Sequence, residues 1–287
     1  MSFLVAPGFW SSGPVGTAVV VGAVAAAVSA AVGVFTVIRG QSFAGEALAD
    51  INTTGGSAAY LAGVGPLWGF VVVALVAAGA MELAGVQRPR GRDLATGVVL
   101  GAGLGLAALF LYLNATTHST TGAAVTILFG SIFTVDGSLV APILVLSVAA
   151  LAAILAIQRP LLLSSLHAEL AAARGIHVRR IGALYLCALA IAVALCAITI
   201  GTILSTALLV GPAASALRLT KSPGRAILCA ALIGTAATWL GILLAYDSYS
   251  WPPSGQGWPV SFFVVMAILI AYLLAGLVAA RRRQPVR

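Results

Sequence analysis

The sequence predicts an all-α membrane protein, a bundle of eight or nine transmembrane helices, on three observations. Hydrophobic residues make up 61% of the 287 residues and charged residues only 8%, whereas about a quarter of an ordinary soluble domain is charged. Apolar stretches of about 20 residues, the length that crosses a bilayer, recur along the chain. Short basic clusters separate these stretches. A soluble chain this apolar would lack the polar surface to cover its core.

The fifteen Lys and Arg residues predict the orientation of the helices, because cytoplasmic loops of membrane proteins are enriched in basic residues. They form five clusters: Arg39; Arg88, Arg90 and Arg92; Arg159, Arg174, Arg179 and Arg180; Arg218, Lys221 and Arg225; and Arg281, Arg282, Arg283 and Arg287. If every cluster faces the cytoplasm, the C-terminus is cytoplasmic and the opposite face carries no basic residue. The net charge of +8 then favours contact with anionic membrane lipid and does not indicate a nucleic acid partner.

Nine apolar windows qualify, or nearly qualify, as spans. They are residues 15–38, 44–64, 67–86, 94–113, 139–157, 178–198, 200–219, 226–246 and 259–280. Gly, Pro and Arg mark their ends, as at Arg159-Pro160. The second window is the weakest, because Glu46, Asp50 and Asn52 interrupt it. A broken or re-entrant helix there would reduce the count to eight. We expect residues 1–287 to form one transmembrane domain.

Two loops have structure of their own. On the outside, residues 122–133 are apolar but too short to span, which predicts a short helix that dips into the outer leaflet or packs on the bundle. On the inside, the loop at about 158–180 contains a predicted amphipathic helix, with Ser164 or Ser165 as its N-cap and Gly175 in left-handed geometry at its end. Such a helix suits either the membrane surface or a soluble partner.

Four segments carry a family resemblance. They are Val34-Phe-Thr-Val-Ile-Arg39 with the run to Asp50 and Gly55–Leu61, Arg92-Asp-Leu-Ala-Thr-Gly97, Leu170-Ala-Ala-Ala-Arg174-Gly175-Ile-His-Val178, and Ala207-Leu-Leu-Val-Gly-Pro212-Ala-Ala-Ser-Ala-Leu-Arg-Leu-Thr220. In this order and spacing, the chain resembles the permease subunits of bacterial ABC importers for zinc, manganese or iron. The resemblance runs from about Gly33 to Ala280.

The resemblance implies an ABC importer permease fold in the bacterial inner membrane, and a set of partners. Two permease copies, expected to be identical, would pair. Each would dock a cytoplasmic ATPase, and an extracytoplasmic solute-binding protein would deliver the ion. The inner helix would then be the coupling helix, whose docking residues are Leu166, Glu169, Leu170, Arg174 and Gly175. The chain has no Gly-x-x-x-x-Gly-Lys-Ser/Thr loop. We therefore expect no bound cofactor and no enzymatic activity of its own, ATP being hydrolysed by the partner.

The candidate ion path begins with Glu46 and Asp50, which are four residues apart and therefore share one face of a helix. Acidic groups within a span usually mark a pathway, and carboxylates suit Mn²⁺ or Fe²⁺. Similar permeases commonly have Asp and His at these two positions, so the missing imidazole weakens the expectation of zinc. The alternative is a pair of boundary charges near Arg39. Weaker candidates for the path are His118, Asp136 and Glu82, of which Glu82 has Arg88 as an alternative partner.

Two other functions stay open from the sequence. The first is an ABC permease for a metal chelate or another small solute. The second, less favoured, is an intramembrane hydrolase, because Ser29, Ser205 and Ser215 are embedded in apolar windows. No His lies within those windows to activate them, which disfavours the hydrolase.

Overall fold

The computed structural model describes residues 13–86, 92–117, 121–130, 132–251 and 257–283. Within these residues the protein is all-α, with no strand. The helices are α1 (Gly13–Ile38), α2 (Ser42–Leu61), α3 (Pro66–Ala84), α4 (Arg92–Thr117), α5 (Thr121–Phe129), α6 (Val140–Leu166), α7 (Ala168–Ala173), α8 (Val178–Ile200), α9 (Ser205–Leu219), α10 (Pro223–Ser248) and α11 (Val260–Arg283). Two short 3₁₀ turns, at 132–134 and 137–139, join α5 to α6.

Each of the nine predicted windows holds a long helix, but the predicted count of spans is not confirmed. In the described part of the chain, seven helices are long and apolar enough to cross a membrane: α1, α3, α4, α6, α8, α10 and α11. The other two fall short for different reasons. α2 has 20 residues but is too polar. α9 has 15 residues, which extend only about 22 Å of the roughly 30 Å hydrocarbon core.

The centre of the bundle is the pair α1 and α8, whose spans are 72% buried. Polar side-chain contacts join them: Ser29 Oγ lies 2.7 Å from Cys196 Sγ, and the Tyr185 hydroxyl donates to Thr36 Oγ1 at 2.9 Å. α2 packs between α3 and α4 and also contacts α8 and α9. In contrast, the spans of α4 and α11 are only 17% and 22% buried. Their apolar faces suit lipid, in which exposed hydrocarbon is not penalised.

The loop predicted to be cytoplasmic differs from the prediction; its end of the bundle is called the inner end below, and the opposite end the outer end. α6 continues through Pro160 to Leu166, so Arg159-Pro160 does not end the span. The hydroxyls of Ser164 and Ser165 do not cap a new helix, since both donate to the Leu161 carbonyl, at 2.9 and 2.5 Å. The separate helix α7 begins only after His167 and has six residues. Its predicted end is confirmed. Gly175 has φ +78, and the amides of Gly175 and Ile176 bond to the carbonyls of Ala172 and Ala171.

Candidate metal path and docking surfaces

Helix α2 carries both predicted carboxylates on its least buried face. Ala47, Leu48 and Ala49 are packed into the bundle, whereas Glu46 is exposed and Asp50 half-buried. The four-residue spacing places both side chains on one side of the helix, and their negative charges interact. Within the described residues, no group of three or more His, Cys, Asp or Glu side chains comes together. A cation held by this pair would need further ligands from other donors.

The outer half of α2 is buried and lined with hydroxyl groups. Thr53 Oγ1 and Thr202 Oγ1 are 2.9 Å apart, which joins α2 to the segment between α8 and α9. Thr54 Oγ1 donates to the Gly103 carbonyl of α4 at 2.7 Å. Ser57 Oγ donates to the Thr53 carbonyl at 2.6 Å. These hydroxyls satisfy one another or backbone carbonyls, so α2 is anchored on two sides.

Two polar residues of this region were missed as candidates from the sequence. Asn114 Nδ2 donates to the Ser57 carbonyl of α2 at 2.8 Å. The side chain of Asn52 is fully buried, and neither its Oδ1 nor its Nδ2 has a hydrogen-bond partner. The signal was present, because Asn52 interrupts an apolar window, but the window alone does not show which way the amide points.

A backbone joint closes the outer end of the bundle beside Thr202. The amides of Thr202 and Ile203 donate to the carbonyls of Ile127 and Leu128 in α5, at 3.1 and 3.3 Å. Gly130 and Gly201 make this approach possible: a Cβ on Gly201 would lie 2.2 Å from the Leu128 carbonyl oxygen. The predicted short outer helix is thus present as α5, and it packs on α2 and α8.

The weaker ion-path candidates have bonding partners where the structure describes them. Asp136 is exposed, and its Oδ1 accepts from the Ser138 amide at 3.0 Å as the cap of a 3₁₀ turn. Glu82 pairs with Arg179 at 3.4 Å across the inner ends of α3 and α8. The other partner considered for it, Arg88, lies outside the described residues, as does His118.

The embedded serines of the hydrolase alternative are engaged in helix contacts. Ser205 Oγ donates to the Thr202 carbonyl and Ser215 Oγ to the Gly211 carbonyl, both at 2.8 Å. Ser29 Oγ lies against Cys196 Sγ. A nucleophile needs a neighbouring base to take its proton, and these contacts provide none.

The predicted docking residues surround α7, which projects from the inner end of the bundle. Ala171 is fully buried against the bundle, whereas Leu166 and Leu170 are 62% and 45% exposed. Glu169, Arg174 and Gly175 are exposed as well. Two exposed leucines flanked by one acidic and one basic side chain make a compact knob of mixed character, as expected of a protein-docking surface rather than of a helix immersed in lipid.

Arg39 links this knob to α2. It lies in the tight turn between α1 and α2, and its Nη1 donates to Ser165 Oγ at 3.1 Å, close to the end of α6. Its Nε donates to Gln41 Oε1 at 3.2 Å, immediately before α2. The guanidinium also lies 5.1 Å from the centre of the Tyr185 ring. Four helices therefore meet around one side chain.

Known proteins resemble this chain over nearly the whole bundle. The model of the ABC 3 transport family covers residues 14–278. The manganese import system permease protein ScaB of Streptococcus gordonii is 30% identical over 236 residues, 80% of each chain. The manganese transport system membrane protein MntC of Listeria monocytogenes is 25% identical over 260 residues, 90% of each chain.

Two solved structures share the fold. A chain of PsaBC from Streptococcus pneumoniae, in complex with Fab, superposes with a TM-score of 0.78 and 25% identity, over 93% of this chain and 92% of that one. A chain of an inward-facing transporter described as of the metal-chelate ABC type has a TM-score of 0.67 and 19% identity, over 92% of this chain and 85% of that one. The second likeness concerns the fold alone.

Proposed function

The chain belongs to the ABC 3 transport family, and from this premise we propose that it is the permease of an ATP-driven importer for a divalent transition-metal ion, with manganese as its main cargo. The main support for this proposal is the similarity to manganese import permeases, which covers most of this chain and most of each relative. The protein is a multi-pass membrane permease. We further propose that residues 1–287 act as one transmembrane domain of the bacterial inner membrane, with the C-terminus in the cytoplasm.

Glu46 and Asp50 form the proposed ion path. A divalent cation offsets the repulsion between the two carboxylates, and carboxylate oxygen suits Mn²⁺ and Fe²⁺. Zinc binds most nitrogen and oxygen sites more tightly than manganese does, so selectivity has to come from ligand type and geometry. The absence of an imidazole at position 50 therefore favours manganese or iron(II) over zinc.

A second copy of the chain completes the proposed site. One chain supplies two carboxylates on an exposed face, and no third metal-ligating side chain joins them in the described residues. In a homodimer that brings the two α2 helices together, four carboxylates would face one passage. Transport would follow from alternating access, in which the passage opens first to one side of the membrane and then to the other.

The proposed partners occupy the two ends of the bundle. At the inner end, a separate ATPase subunit would bind α7, with Leu166 and Leu170 buried in its groove and Glu169, Arg174 and Gly175 at the rim. At the outer end, a solute-binding protein would deliver the ion. ATP is hydrolysed by the partner, so the permease itself needs no cofactor.

Uptake of radiolabelled manganese, zinc and iron(II), in cells lacking the gene and in cells expressing variants, tests the proposal. The wild type should restore manganese uptake. The double variant Glu46→Gln plus Asp50→Asn preserves side-chain size but removes both charges, and its manganese uptake should fall to background. Asp50→His should shift competition toward zinc. Asp93→Asn, at an exposed carboxylate where α4 begins, is the matched control.

Two results would contradict the proposal. Normal manganese uptake by the double variant would make Glu46 and Asp50 boundary charges and place the path elsewhere. Uptake of a metal chelate, with no uptake of the free ion, would favour the alternative cargo. Membrane levels of each variant, measured by immunoblot, separate lost transport from lost assembly.

A further inference from the structure

The hydrogen bonds of Arg39 to the two serines at the end of α6 suggest a role beyond that of a basic residue in a loop. Its Nη1 lies 3.1 Å from Ser165 Oγ and 3.5 Å from Ser164 Oγ. Both serine hydroxyls donate their hydrogen to the Leu161 carbonyl. Their oxygen lone pairs can therefore accept hydrogen bonds from the guanidinium. The fixed fork of an arginine lets Nη1 face the two serines while Nε faces Gln41 Oε1, a geometry that the single nitrogen of a lysine ammonium does not provide.

The turn that holds Arg39 is rigid on the other side. Two backbone hydrogen bonds tie α1 to the start of α2. The backbone N–H of Gln41 donates to the Thr36 carbonyl at 2.9 Å, and the backbone N–H of Gly40 donates to the Val37 carbonyl at 3.1 Å. Gln41 is buried, with 3% of the residue exposed, and its Oε1 accepts from Arg39 Nε. A displacement of the guanidinium is therefore passed to the first turn of α2.

The partners of Arg39 lie next to the two functional elements. Ser165 is separated from α7 only by Leu166 and His167, so a movement of α7 displaces the serines. Gln41 directly precedes α2, and Glu46 follows about one helical turn after the start of that helix. The buried Tyr185 ring, whose hydroxyl is fixed by Thr36, forms a wall behind the guanidinium. The path from docking knob to carboxylates is continuous.

We propose that Arg39 is a positioning residue that transmits the movement of α7 to α2, and so couples ATP turnover in a bound ATPase to the placement of Glu46 and Asp50. This inference rests on the proposed function. It assigns Arg39 no contact with the metal ion or with the ATPase. Its removal should therefore leave both binding events in place and break the link between them.

The test uses the full permease reconstituted with its ATPase in liposomes, with manganese as the cargo. Three quantities are measured: ATPase association, ATP hydrolysed, and manganese transported per ATP. For Arg39→Ala, association and hydrolysis should stay within about twofold of the wild type while manganese per ATP falls about tenfold, in the range of ordinary coupling between sites. Arg39→Lys should recover part of the ratio. Arg159→Ala, which removes an exposed arginine elsewhere on α6, should leave it unchanged.

A second variant protects the test against misfolding. The double change Ser164→Ala plus Ser165→Ala removes the acceptors on α6 while leaving Arg39 in place, and it should lower the same ratio. The inference is overturned if these variants keep the wild-type ratio, or if transport and hydrolysis fall in equal proportion. A wild-type complex that takes up no manganese, or binds no ATPase, contradicts the proposed function instead.

Discussion

The two ends of α2 are held by contacts of different kinds. At the inner end, side-chain hydrogen bonds of Arg39 with Ser164 and Ser165 connect the turn before α2 to α6, while backbone hydrogen bonds tie the same turn to α1. At the outer end, backbone meets backbone beside α2: amides following α8 bond to carbonyls of α5, and two glycines leave no space between the chains. The Thr53 and Thr202 hydroxyls attach α2 to that joint.

The difference indicates which end of α2 can move. The hydrogen bonds of a long side chain such as that of Arg39 can exchange partners with little change in the backbone. At the outer joint, two backbone segments pack directly against each other with no side chain between them. Such a contact is close-packed, and its hydrogen bonds can separate only if both segments move apart together. The carboxylates at positions 46 and 50 lie in the half of the helix next to the side-chain contacts with α6. We infer that the outer joint is the fixed point against which the inner half of α2 shifts.

The largest expected effect comes from breaking the outer joint with Gly201→Ala. Gly201 has φ +87 and ψ 166, a region that only glycine adopts readily, at a strain of about 1–3 kcal/mol for other residues. The new Cβ would also clash with the Leu128 carbonyl oxygen. We expect little folded protein or a thermal midpoint lowered by several degrees, measured by unfolding in detergent.

The matched control for this change is Gly101→Ala in α4. A Cβ there meets nothing within 4 Å, and alanine stabilises a helix interior by up to about 1 kcal/mol over glycine. If Gly201→Ala unfolds at the wild-type temperature, the outer joint is not the rigid attachment of α2.

An intermediate effect is expected at the inner end from Leu170→Asp. Leu170 is 45% exposed, so the substitution should leave the fold intact. Because it places a charge in the proposed ATPase interface, affinity for the ATPase should fall about tenfold, or roughly 1.4 kcal/mol. Pull-down with increasing ATPase concentration measures this, and Leu170→Met, which stays apolar, should bind normally. Equal binding of both variants would remove α7 from the interface.

The smallest effect is expected from the hydroxyl pair that attaches α2 to the outer joint. Thr53→Val and Thr202→Val, alone and together, form a double-mutant cycle. Interhelical hydrogen bonds of this kind contribute about 0.6 kcal/mol in membrane proteins. We expect a coupling of that order in the free energy of unfolding, with manganese uptake retained. A coupling of zero would mean that the two hydroxyls do not bond.

The sequence predicts the helices of this protein well because the length of a membrane span imposes a strong signal. All nine windows contain a helix, and Gly175 ends α7 as expected. The end of α6 was predicted wrongly. Pro160 removes one backbone donor and crowds the preceding turn, but packing of the buried Ile157 and Leu161 carries the helix on to Leu166. Ser164 and Ser165 resemble caps in sequence but bond back to Leu161.

The contacts of the site are less accessible to sequence reasoning. The four-residue spacing of Glu46 and Asp50 predicts a shared face, and the structure leaves both on the less buried side of α2. The bond between Arg39 and Ser165 joins residues 126 apart, and nothing local specifies it. Glu82 shows the same difficulty, because its ion pair with Arg179 joins two helices that are far apart in sequence.

The polarity of α2 also has a consequence for how the protein is made. Segments enter the bilayer during synthesis according to their own hydrophobicity, and α2 is the one 20-residue helix here that lacks it. It is joined to α1 and α3 by turns of a few residues, so its neighbours have to carry it into the membrane as part of a helical hairpin. The polar residues proposed to conduct the ion thus make α2 harder to insert into the membrane. We expect α1 and α3 to assist this insertion during synthesis, before they pack around α2 in the folded protein.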